Sequence, residues 1–189
     1  MLSEQDYIEA SQILNVGVPE IKAVTEVESS GSGFLNGQVK ILFEPHIFWK
    51  ELKKRGINPY DHLQGNEDIL YLEWGAKPYG KYSAQWDRLE RAMKINEDAA
   101  LCSASYGLFQ IMGQYFNECG CSNIKDFVSD MQKDEPHQLK AFCSLIKYRH
   151  LDDELRNHLW AAFALQYNGK GYKRNKYDTK LQAAYEKYS

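Results

Sequence analysis

The chain has 189 residues, 43% hydrophobic and 26% charged, the usage of one ordinary globular domain that can bury a core without covalent staples. A net charge of -3 leaves no overall basic surface of the kind nucleic-acid binding needs, and no run approaches the ~20 apolar residues that cross a bilayer. From the N-terminus, a short helix is predicted over 4–14. Pro19 suits the first turn of a second helix that runs to Ser29 and stops at Ser-Gly-Ser-Gly, 30–33. Gln38–Glu44 alternates Val39, Ile41 and Phe43 on one side and is predicted as a strand. Pro45 begins another helix that ends at Gly56, and 57–82, rich in Gly, Pro, Asn and Tyr, is predicted as a long loop or small lobe. Helices are then predicted from Ser83, as N-cap, to Asn96, and over 107–117, 123–133, 136–149, 153–167 and 178–188. The expected class is α+β, predominantly helical, with a small early β element and one domain over 1–189.

Two glutamates in the second helix behave differently. At about 100° per residue, with Ile21 at zero, Glu28 falls near −20°, inside the stripe of Val24 and Thr25, while Glu26 falls near +140° on the opposite face. Glu26 is therefore expected as a solvated charge. Glu28 is a carboxyl among aliphatic side chains, where ionisation is costly and the pKa rises, as a general acid requires. The plainer reading is a Glu satisfied by a cation or by backbone donors at the end of its helix. The small residues that follow it leave room for a bound polymer.

Aromatic residues make up 13% of the chain, including 13 Tyr, and Tyr and Trp suit stacking on sugar rings as well as filling a core. Cys102, Cys119, Cys121 and Cys143 have no metal-ligand spacing, so reduced, partly buried thiols are expected, with no metal and no cofactor. Cys143 with His137 or His150 reads as coincidence rather than as a nucleophile pair. The start, MLSEQDYIEASQIL, lacks a basic region followed by an apolar run, so no secretory signal is expected. Basic clusters at 50–55 and 170–176 read as solvated faces or, for the second, as an attraction for an anionic wall polymer.

Three segments, Val27-Glu28-Ser29, Ser105 to Met112 (SYGLFQIM) and Ala164 to Gly169 (ALQYNG), resemble in order the catalytic segments of goose-type lysozymes and lytic transglycosylases. The fuller series AVTEVESSGSGFL, ILFEPHIFWKEL, SASYGLFQIMG and YNGKGYKRNKYDTKLQAAY is similar to the N-acetylmuramidase domain of phage endolysins, from about residue 10 to the end. The resemblance implies a lysozyme-like fold and cleavage of the β-1,4 bond between N-acetylmuramic acid and N-acetylglucosamine. The partner would be bacterial peptidoglycan, with no nucleic acid, no stable membrane insertion and a monomeric enzyme.

By that resemblance Glu28 is the general acid, and Ser29, Tyr106, Gln110, Tyr167 and Asn168 are substrate-binding, Tyr167 with a hydroxyl that reaches the acid. Taken by themselves, Phe109, Ile111 and Met112 read as core, and Tyr-Asn-Gly at 167–169 is also a good helix stop. Met112 stands where goose-type lysozymes have an aspartate, so the second carboxylate is open. Glu44 is the candidate, with capping of the 45–55 helix as its equal alternative. Glu97 and Asp98 are weaker and expected to be solvated. An outcome without a second carboxylate is an anhydro product by transglycosylation, and a third reading is a wall-binding module without turnover. Many family members carry a separate wall-binding module, for which this length leaves no room. The implied location is the host cytoplasm, then the periplasm after release.

Overall fold

The computed structural model describes every residue except Ser30. Helix α1 (Glu4–Leu14) begins with a capping box in which Ser3 and Asp6 satisfy each other's backbone N–H. Helix α2 (Val18–Glu28) carries a proline in its first turn and packs against the last helix, α10 (Tyr177–Tyr188). Its stripe of Ile21, Val24 and Thr25 is buried, and Glu26 on the other face is exposed and pairs with Lys187 at 2.7 Å. The two faces follow from the 3.6-residue period. The Ser30 part of the expected helix stop lies outside the described residues.

The predicted 38–44 strand divides at Lys40 between two sheets. Strands β1 (Phe34–Leu35) and β2 (Gln38–Val39) form a hairpin. Its turn is Asn36–Gly37 with φ of 51° and 80°, the pattern of a two-residue turn that suits the strand twist. Strand β3 (Ile41–Phe43) pairs antiparallel with β4 (Ala104–Tyr106), and β4 with β5 (Ile111–Met112), in the order β3-β4-β5. Helix α3 (Pro45–Lys54) follows β3 at once, with proline in its first turn.

Three helix expectations need correction. The helix from Ser83 begins later and divides. Tyr82–Ala84 is a 3-10 turn, α4 covers Gln85–Met93, and α5 (Glu97–Cys102) starts afresh where the Asn96 side chain accepts from the Ala99 N–H at 2.9 Å. The helix expected over 107–117 is instead the turn between β4 and β5, then a 3-10 turn at Gly113–Tyr115. Left-handed backbone at Gly107 (φ 73°) and Gln110 (φ 48°) is incompatible with a helix there.

The third expectation was one helix over 153–167, where the structure has α8 (Asp152–Arg156) and α9 (Trp160–Asn168). The break falls at His158, at φ 54°, whose Nε2 lies 2.8 Å from the Glu20 carboxylate and whose ring stacks on Trp160 at 5.3 Å. Contacts with α2 outweigh local helix continuity. Helices α6 (Ile124–Lys133) and α7 (Glu135–Tyr148) match expectation, capped by Asn123 and Asp134.

The core is built from fully buried Leu14, Ile21, Phe43, Phe48, Leu52, Phe127, Phe142 and Phe163, each contributing about 1.5–3 kcal/mol by leaving water. Gln138 of α7 is the polar exception at its centre. Its Oε1 accepts the Leu108 N–H at 2.7 Å, and its Nε2 donates to the Met131 carbonyl at 2.8 Å. A Cβ added at Gly107 would lie 2.6 Å from Gln138 Cδ, and one at Gly33 would lie 2.1 Å from its Oε1. Glycine at both positions lets the turn before Gln110 and the loop after Glu28 close on one buried amide.

Candidate active site

A cleft of about 510 Å³ opens where the end of α2, the three-stranded sheet, α7 and α9 converge. Glu28 enters it from the last turn of α2, and Glu44, between β3 and α3, lines it as well. Its aromatic floor is held by Phe109 stacked on Phe142 at 4.4 Å, with Tyr167 edge-on to Phe142 at 5.5 Å and parallel to Phe163 at 5.6 Å. Phe109 and Ile111 thus serve the core and the cleft together.

Burial raises the Glu28 carboxyl to about 7, against the partial opposition of Asn168 and Lys180. Asn168 Nδ2 donates to Glu28 Oε1 at 2.8 Å. Among the described residues this is the hydrogen bond that Glu28 receives; the Tyr167 hydroxyl shares the cleft and feels the Glu28 charge without bonding to it. Burial likewise raises Glu44, while Tyr79 and Arg88 pull it down. As the N-cap of α3, Glu44 makes no capping hydrogen bond with its side chain. The cap alternative therefore retains only its favourable charge.

Gln110 lines the cleft, but its amide is spent on the turn that carries it. Its Oε1 accepts from Ser105 at 3.0 Å, and its Nε2 donates to the carbonyls of Gly107 at 2.8 Å and Lys40 at 3.3 Å. These bonds hold the residue in its left-handed conformation. Two expected residues lie elsewhere. Tyr106 is fully buried, its hydroxyl donating to the Leu101 carbonyl at 2.9 Å and its ring edge-on to Phe127 at 5.6 Å, so it supports the sheet from beneath and does not line the cleft. Strand alternation puts it on the face opposite Ser105. Ser29 caps α2 through its N–H to the Thr25 carbonyl at 3.0 Å and is not part of the cleft lining.

Sequence reasoning passed over Tyr79, Tyr82, Tyr115, Arg149 and Tyr177. Tyr82 and Tyr115 line the cleft with Arg149, which packs over the Tyr115 ring at 4.4 Å and pairs with Glu118 at 2.7 Å. The abundance of Tyr in 57–82 was the available signal. Glu97 is exposed and pairs with Lys125, as expected of a solvated residue. The four cysteines are free thiols, and burial pushes Cys143 up to about 12, away from a nucleophilic thiolate.

A mostly helical body with a small antiparallel sheet, and two half-buried carboxyls lining one cleft with an aromatic floor, defines a lysozyme-like glycoside hydrolase. The model of the N-acetylmuramidase family matches residues 17–189, and the chain belongs to that family. The crystal structure of the Burkholderia AP3 phage endolysin superposes with a TM-score of 0.92 at 35% sequence identity, covering 99% of this chain and 71% of that one. No curated protein sequence matches the chain.

Proposed function

We propose that the chain is an endolysin that hydrolyses the β-1,4 bond between N-acetylmuramic acid and N-acetylglucosamine, with Glu28 as general acid. The observation that carries this is a carboxyl at a helix end, raised to about 7 by burial and facing an open cleft that a second carboxyl also lines. A group in that range holds its proton near neutrality and releases it to a leaving glycosidic oxygen. Glu44, ionised, positions the attacking water. Phe109 and Tyr167 offer aromatic surface to the sugar, Asn168 keeps the Glu28 carboxyl oriented, and Gln110 shapes the wall between the two acids.

Acting as a monomer, it would engage the glycan strand in this cleft. It would wait in the host cytoplasm and reach the periplasm on release. Transglycosylation is the second reading, favoured by Met112 in the cleft wall where goose-type lysozymes place an aspartate. Mass spectrometry of digested peptidoglycan decides the matter. Reducing-end muramic acid supports hydrolysis, anhydromuramic acid replaces it with transglycosylation, and intact glycan strands with wild-type enzyme overturn both.

A further inference from the structure

Glu44 has a partner in the loop that sequence reasoning left without a role. Its Oε2 accepts the Tyr79 hydroxyl at 2.5 Å. Tyr79 is itself fixed, since its carbonyl accepts from Gln85 Nε2 at 2.7 Å and Arg88 Nη1 at 2.8 Å. Gln85 is fully buried, and its Oε1 accepts the Phe43 N–H at 3.2 Å. One buried amide therefore ties the backbone just before Glu44 to the residue whose hydroxyl holds the Glu44 carboxylate. Arg88 also donates to the Asp68 carbonyl at 2.6 Å and Arg91 pairs with Asp68 at 2.8 Å, fastening the rest of the loop to α4. A carboxylate that merely capped α3 would need none of these contacts.

We propose that Tyr79 is a positioning residue for glycan cleavage, its hydroxyl holding Glu44 as an aimed carboxylate on the wall of the cleft. The proposal rests on reading Glu44 as the second carboxylate. The groups that face Glu44 are Tyr79 from the loop, His46 Nδ1 at 3.3 Å from α3, Arg88 from α4 and Glu28 from elsewhere in the cleft. Burial and Lys50 push the His46 imidazole below its ordinary value, and its buried Nδ1 makes no hydrogen bond to Glu44 or to any other described residue. Tyr79 and Arg88 are left to keep the carboxylate ionised against its own burial.

Tyr79→Phe removes the hydroxyl and little else. In enzyme labelled with carboxyl-13C glutamate, the Glu44 resonance is assigned by its absence in Glu44→Gln and titrated in both backgrounds. In Tyr79→Phe it should titrate at higher pH. The acid limb of the kcat profile on soluble glycan fragments should move up with it, with kcat about tenfold lower and KM little changed, the size expected for losing a hydrogen bond to a charged group. An unchanged Glu44 titration, or a uniform loss at all pH with a lowered melting temperature, overturns the proposal in favour of a structural tyrosine. A moved titration with an unmoved acid limb, or full activity in Glu44→Gln, overturns the reading of Glu44 on which it rests.

Discussion

Glu28→Gln replaces a carboxyl raised to about 7 by an amide of the same shape that never ionises. In the unfolded chain the carboxyl titrates at 4.5. The fold therefore binds this proton more tightly than the unfolded chain does. Stability from that difference is present in full below 4.5, falls as pH rises from there to about 7, and stays lost above it. At about 1.36 kcal/mol per pH unit, the loss in wild type is about 3 kcal/mol at most. Gln carries no such cost, so the variant and the wild type should melt alike in acid and diverge as pH rises. For a chain of this length the gap should reach roughly 6–12 °C at alkaline pH. Scanning calorimetry of both proteins on either side of the window measures it, and turbidity clearance of purified peptidoglycan should show the variant inactive throughout. A melting difference that is constant with pH, or a variant that is the less stable one in alkali, refutes the account of why this carboxyl is raised.

Asn168→Ala removes the amide that favours the ionised form of Glu28, so the alkaline limb of the activity profile should move to higher pH by up to about one unit; a downward move would show that the amide serves the protonated acid. Gly107→Ala must place a Cβ against Gln138 at a backbone φ of 73°, and should cost more than about 2 kcal/mol by urea unfolding. Lys170, Lys173 and Arg174 are exposed and form no ion pair with another described residue. Changing all three to Ser should weaken wall binding more at low salt than at high salt in a pelleting assay, and equal losses would remove them from wall attraction.

The helical period was enough to separate Glu28 from Glu26, because burial on one face of α2 is a local property of spacing. The order of the motif segments brought Gln110, Tyr167 and Asn168 to the same cleft. Tyr106 shows where that reasoning stops. A phenol whose hydroxyl finds a backbone carbonyl is as comfortable in the core as in a cleft, and only the strand register decides. The break at His158 comes from a carboxylate 138 positions away in sequence, which no local pattern carries. Asn36–Gly37, by contrast, is a strong hairpin signal, and a reading based on alternation alone passes over it. Tyr79 lies in a stretch without periodicity, and its role depends on where Gln85 and Arg88 fasten it.

The shared amide of Gln138 links the fates of two loops that flank the cleft. The segment after Glu28 and the turn before Gln110 are 74 positions apart at Gly33 and Gly107, yet each is shaped to the same side chain. Neither wall is free to drift alone. A larger side chain in one loop displaces Gln138 and with it the Leu108 bond that seats the other. Enzymes of this kind that diverge toward new wall polymers would therefore have to vary the outer cleft lining, at Tyr82 and Tyr115, while the three-residue joint behind the acid is inherited as a block.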